Sequence, residues 1–203
     1  GIFAQNHSPI KMVRLWGDGV WNLLVFSMQV TITLFTGSVL AQTEAVKRGL
    51  KALASLAKSP SQAIVLMTMI ALVCCWISWG FGLIASALMA REIALQVKGV
   101  HYPLLVASAY SGMLVWHAGL SGSIPLKIAA TDNDELSNLL NGVTIPLTET
   151  IFSWESIVIC LILFITLPIV NKMMLPPSSE IVEIDPNKVT AYIPPNQDIT
   201  TPA

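Results

Sequence analysis

Apolar positions in this 203-residue chain come in blocks too long and too lightly punctuated for the narrow stripes of a soluble fold. A spanning helix needs about twenty mostly apolar residues to cover ~30 Å of hydrocarbon, so the uncharged windows set the topology. Residues 20–41 meet that length, with Trp16 and Trp21 at one end as interfacial anchors, and residues 10–16 before them fit a short surface helix. Over residues 43–58 the pattern changes. Lys47, Arg48, Lys51 and Lys58 fall on one side and Val46, Leu50, Leu53, Ala54 and Ala57 on the other, which describes an amphipathic helix lying in the interface or connecting two buried elements.

Residues 59–90 carry no charge. About 32 residues make one helix of ~48 Å, too long for a single crossing, while two crossings need about forty. Ser78-Trp79-Gly80-Phe81-Gly82 interrupts the middle of the window, and its two glycines would cost a continuous helix about 2 kcal/mol. The expectation is a re-entrant hairpin over residues 61–97, with arms 61–77 and 83–97 and its tip at Gly82. Lys58 outside the first arm, with Arg91 and Lys98 at the end of the second, puts positive charge at both outer ends and so on the cytoplasmic side.

Residues 102–130 read as a discontinuous helix. Residues 102–116 are expected to be helical, then unwound through His117-Ala118-Gly119-Leu120-Ser121-Gly122-Ser123, with a short helix restarted near Pro125 and capped by Ser123. Residues 131–150, with Asp132, Asp134, Glu135 and Glu149, are expected as a loop on the opposite side, and residues 151–171 as a return span. The polar, proline-rich residues 176–203 read as a linker or tail after a membrane unit of residues 1–175. On this layout eight Lys and Arg fall on the hairpin-base side and three on the other, in keeping with a cytoplasmic hairpin base.

Composition sharpens the picture. Hydrophobic residues make up 54% and charged residues 11%, with a mean hydropathy of +0.68, whereas soluble domains are roughly a quarter charged. A net charge of −1 and a pI near 6.3 give no basic footprint for nucleic acid. Cys74, Cys75 and Cys160 lie in apolar runs and read as packing residues, not as a disulfide framework or metal set, and no cofactor is expected. The first ten residues lack the features of a signal peptide, so the chain reads as cut at both ends, a part of a larger membrane protein.

Both breaks begin a new helix inside the membrane region, which exposes unpaired backbone N–H groups at the positive end of a helix dipole. Two such ends facing one cavity can hold a small anion without any basic side chain. The candidate binding residues are therefore Ser78, Trp79, Gly80, Gly82, Ser121, Gly122 and Ser123, with the serine hydroxyls as extra donors. The competing reading is that the glycines only permit close packing, since Gly82, Ser86 and Ala90 form a small-residue stripe. No Asp or Glu lies mid-span, so no carboxylate proton relay is visible, and Glu92 beside Arg91 belongs near the cytoplasmic end. His117 is the titratable group at the breaks and is a candidate either for carrying a coupled proton or for packing.

Several stretches in one order carry a resemblance to a known family. They are residues 12–26, with Leu15-Trp16-Gly17-Asp18-Gly19 and Trp21-Asn22-Leu23-Leu24; Trp79-Gly80-Phe81-Gly82-Leu83 with Ala90-Arg91-Glu92; Tyr102-Pro103-Leu104-Leu105; and Leu120-Ser121-Gly122-Ser123. The piece from Met173-Met174 to Ile184-Asp185-Pro186 extends it. Together they cover nearly the whole chain, and they resemble the bacterial short-chain fatty acid transporters, the acetoacetate and butyrate permeases of the acetoacetate utilisation system.

The resemblance implies an all-α integral membrane protein of the bacterial inner membrane, a secondary transporter and not an enzyme. It implies two inverted repeats, each with a re-entrant hairpin and a discontinuous helix, of which this chain would be the first together with the start of the central loop. The implied partners are a short-chain carboxylate taken up by symport, the lipid bilayer and the missing C-terminal half, with a homo-oligomer left open. His117 stands where that family leads one to expect glycine, which weakens a proton role as a family trait. Rival readings are a carrier of another anion or a sodium–proton exchanger of the same architecture, and a non-transporting scaffold subunit, which has no need of unwound segments.

Overall fold

The computed structural model describes residues 8–130 and 141–185. Among the described residues the regular elements are all helical: α1 (Pro9–Ala41), α2 (Glu44–Ala54), α3 (Pro60–Ile77), α4 (Trp79–Gln96), α5 (Tyr102–Ser111), α6 (Ser123–Ala129) and α7 (Trp154–Met173), with 3-10 turns at Gly112–Ala118, Leu147–Glu149 and Ser178–Glu180. Local chemistry sets four of the helix starts. Ser8, Thr43, Ser59 and Ser153 each accept the backbone N–H three residues on, and Pro9 and Pro60 take the first helical position, where a missing N–H costs nothing. Three stretches are long and apolar enough to cross a membrane: Pro60–Ile77, Tyr102–Ala129 and Trp154–Met173.

α3 is the axis of the bundle. Ala63, Ile64, Met67, Thr68, Ala71, Leu72 and Cys75 are buried on it, and α4 packs beside it through Ala85, Met89 and Ile93. The two helices run antiparallel, for Gly82 lies against Cys75 near the tip and Gly99 against Pro60 at the base. The reversal takes a single extended residue, Ser78 (φ −153°, ψ 113°), and α4 begins at Trp79, four residues before the expected second arm. Gly80 and Gly82 are thus helical and do not turn the chain; their lack of a side chain serves contact between helices.

α1 also differs from expectation. It is one continuous helix of 33 residues, ~50 Å long, in place of a surface helix followed by a separate span. Gly17 and Gly19 lower helix propensity by about 1 kcal/mol each, but without a proline between residues 10 and 41 nothing forces a break. α2 has a strongly two-sided pattern. It buries Leu50 and Ala54 against the bundle while Lys47, Arg48 and Lys51 stay exposed.

α7 is mostly exposed and is fastened to the bundle by a polar group near its C-terminal end. The buried Asn171 donates through Nδ2 to Thr68 Oγ1 on α3 (3.0 Å) and Ser111 Oγ on α5 (3.1 Å). Both hydroxyls have already committed their protons to their own helices, at Ile64 O and Ser108 O, so they offer lone pairs and the amide must supply the hydrogens.

The chain after α7 folds back onto the hairpin base. Val182 O accepts from Tyr102 N (2.8 Å), Val182 N donates to His101 Nδ1 (3.1 Å), and Glu183 Oε1 accepts from Gly99 N (2.9 Å). Within the expected polar loop, Asn141 and Gly142 have positive φ and Leu147–Glu149 forms a 3-10 turn, while Asp132, Asp134 and Glu135 lie outside the described residues.

Hydrogen bonds between membrane helices contribute about 0.6 kcal/mol each and at most ~1.7. Asn171→Ala in the full-length protein should therefore lower stability by about 1–3 kcal/mol, read as a fall in detergent melting temperature. Adding Thr68→Val to Asn171→Ala should lower it little further, since the shared bond is already gone. An unchanged melting temperature in Asn171→Ala would contradict the fastening role.

Candidate functional site

At the hairpin tip the end of one helix meets the start of another, and each leaves backbone groups without partners inside its own helix. The carbonyl of Trp76 near the end of α3 accepts from Leu120 N (2.8 Å), and the first N–H of α4, at Trp79, donates to Ser121 Oγ (3.0 Å). One unwound turn therefore serves both sides of the tip. Gly122 N donates to Gly119 O (3.1 Å) and closes the turn on itself, and Trp116 Nε1 donates to Ser121 O (3.3 Å).

Such close approach depends on glycine at 119. A Cβ there would collide with the carbonyl oxygen of Trp76, the same atom that receives the Leu120 N–H. Above the turn the Trp79 and Trp116 rings stand 5.5 Å apart at 45°, and the His117 ring lies 4.2 Å from that of Trp116 with its residue exposed.

The two breaks expected from sequence are thus brought together. Ser78, Trp79, Gly80 and Gly82 line the tip, Ser121 is bonded to it, and Gly122 is buried next to His117 O, 2.6 Å from where its Cβ would sit. Ser123 is exposed, and it does not cap α6; Gly122 occupies the cap position, with Ser123 first and Pro125 third in the helix. The helix before the turn ends earlier than expected, at Ser111, and tightens into the 3-10 turn Gly112–Ala118.

Electrostatically the tip holds helix-terminal donors, and residues 59–91 and 102–130 contain no Asp or Glu. Gly82 N closes the first α-helical bond of α4 to Ser78 O (2.7 Å), so Gly80 and Phe81, at its second and third positions, have no acceptor within the helix. α1 lies against this terminus: a Cβ on Gly37 would stand 3.2 Å from Phe81 N. Among the described residues no group of His, Cys, Asp and Glu is arranged to hold a metal ion. The polar trio of Thr68, Ser111 and Asn171 lies apart from the expected site. Its one signal in the sequence was an asparagine at the end of an otherwise apolar span.

Helical elements of spanning length, with an unwound turn bonded to the tip of a helical hairpin, define a helical membrane protein. The chain matches the family model described as Short chain fatty acid transporter over residues 2–200, and it belongs to that family, one of transporters and not of enzymes. It is 45% identical over 185 residues to a protein of Escherichia coli (strain K12), covering 91% of this chain and 41% of that protein. It is 40% identical over 187 residues to one of Haemophilus influenzae (strain ATCC 51907 / DSM 11121 / KW20 / Rd), covering 90% and 42%. Both relatives are provisionally named as short-chain fatty acid transporters, and this chain spans about two-fifths of their length. No solved structure matches it.

The packing at the tip makes the two glycines unequal. A Cβ on Gly82 meets the backbone of Cys75 at 2.6 Å, whereas one on Gly80 meets the Thr33 Cγ2 methyl at 2.7 Å and no backbone atom nearer than the Thr33 carbonyl oxygen at 3.4 Å. Gly82→Ala should cost about 1–3 kcal/mol, as overpacked cores do, and Gly80→Ala distinctly less. Thr33→Ser removes the obstructing methyl and should restore Gly80→Ala but not Gly82→Ala. Equal melting temperatures for the two alanine variants, or rescue of both, would contradict this packing.

Proposed function

We propose that this chain is the first of two inverted repeats in a secondary transporter that takes up short-chain fatty acids, butyrate and acetoacetate among them, by symport across the bacterial inner membrane. The junction of hairpin tip and unwound turn is its half of the carboxylate site. The hairpin is re-entrant: its ends lie together at the positively charged side, and two arms of 18 residues, ~27 Å each, carry the tip into the hydrocarbon.

The observation that carries this reading is the bond from Trp79 N–H to Ser121 Oγ. That bond uses a lone pair of the hydroxyl and leaves its proton to donate to a carboxylate. A hydroxyl that accepts from a helix N-terminus is polarised into a stronger donor. The N–H groups of Gly80 and Phe81 add to the positive end of the same helix, Ser78 carries a hydroxyl just before it, and Ser123, exposed two residues after Ser121, is a further candidate donor. Trp79 and Trp116 supply an apolar wall suited to a short acyl chain. Binding by neutral donors rather than by a buried lysine also suits a carrier, which must release what it binds. His117, against Trp116, is the candidate for a coupled proton.

Uptake of labelled butyrate, acetoacetate and a dicarboxylate by full-length protein in proteoliposomes tests this reading. Hydrogen bonds to charged groups contribute about 1.5–3 kcal/mol, so Ser121→Ala should raise the half-saturating butyrate concentration roughly ten- to a hundredfold, and Ser123→Ala by less. A merely structural Ser121 would lower the melting temperature by about 1 kcal/mol in stability while leaving that concentration unchanged. No butyrate uptake by the wild type, or unchanged affinity in both serine variants, would overturn the assignment.

A further inference from the structure

A groove of about 440 Å³ opens on the side of the bundle away from the hairpin tip, within the ~300–1,000 Å³ range of small-ligand sites. Leu56, Val65, Leu66 and Met69 form its apolar wall, and Gln62 and Lys172 stand at its polar end. It lies between the start of α3 and the end of α7, the end of the bundle where Thr43–Lys58 supplies four cations. Lys58 adjoins the groove directly, since its backbone N–H donates to Gln62 Oε1 (3.0 Å). Among the described residues no carboxylate pairs with Lys58 or Lys172; the ion pair at this end joins Lys47 to Glu44 on the surface of α2.

We propose that this groove binds one anionic phospholipid, its phosphate held between Lys172 and Lys58 and one acyl chain laid along Val65, Leu66 and Met69. Charge complementarity selects the occupant. Lys172 on the groove wall and Lys58 beside it, neither paired with a carboxylate among the described residues, match a headgroup with net negative charge attached to a hydrocarbon tail, and basic pockets between helices on the cytoplasmic side bind such headgroups. An apolar helix from elsewhere would fill the wall but leave both lysines without counter-charge. The inference needs only that the protein sits in a membrane, so it stands or falls separately from the choice of transported substrate.

Native mass spectrometry of the full-length protein, titrated with phosphatidylglycerol and phosphatidylcholine of identical acyl chains, provides the test. Each lysine near a headgroup contributes about a fivefold preference for the anionic lipid. The wild type should retain one phosphatidylglycerol in preference to phosphatidylcholine. Lys172→Gln and Lys58→Gln should each reduce that preference about fivefold, and Lys11→Gln should not change it. Met69→Trp, which fills the channel and keeps both lysines, should weaken retention of both lipids. Equal retention of the two lipids by the wild type, or a preference that survives the double lysine variant, would overturn the proposal, the latter by placing the charge effect elsewhere on the surface.

Discussion

Hydrocarbon offers no hydrogen bonds, so a backbone group freed by a break in a membrane helix needs a partner in the protein or in a water-filled cavity. This chain breaks twice within about forty residues, and the two breaks answer one another. The Trp76 carbonyl at one side of the hairpin tip receives Leu120 N–H, and the Trp79 N–H at the other side is received by Ser121 Oγ. Each break supplies a partner that the other lacks. Their mutual closure fixes the position of the unwound turn on the tip, and with it the direction in which the remaining donors of α4 point.

Close packing follows from the same constraint. A backbone–backbone bond of 2.8 Å, beside one of 3.0 Å to the short Ser121 side chain, requires the two segments almost to touch, which explains glycine at 119 beneath Trp76. With no aqueous hydrophobic effect to drive helices together in lipid, small residues and a few polar ties hold the bundle. The Asn171 amide, reaching both Thr68 and Ser111, joins three helices through one side chain. Each such group is satisfied because its neighbours have already spent their own protons elsewhere.

Much of this was legible in the residues. The uncharged window interrupted at its middle pointed to two arms rather than one long helix, and the clustered Ser, Gly and Trp residues marked where the chain breaks. The exact turn was not legible, because propensity treats Gly80 and Gly82 as helix breakers whereas lipid makes them helix contacts; the chain turns at Ser78 instead. Partners far apart in sequence were equally hidden. Nothing local at Asn171 names Thr68, and nothing local in the proline-rich tail shows Val182 and Glu183 returning to the hairpin base at Gly99–Tyr102. Among the candidate residues, Ser121 was visible as a donor but not as the group that already serves Trp79.

The central claim is that tip and turn form one unit in the working protein. Ser121 Oγ lies 3.0 Å from the nitrogen that follows Ser78, so the two serines are neighbours across the junction. The direct measurement is oxidative cross-linking of Ser78→Cys with Ser121→Cys in full-length protein whose Cys74, Cys75 and Cys160 are replaced by alanine. Disulfide formation in most molecules under mild oxidant is the result this account requires. Two cysteines that both alkylate readily yet never cross-link would contradict it, because the breaks would then lie apart and each would have to be closed by something else.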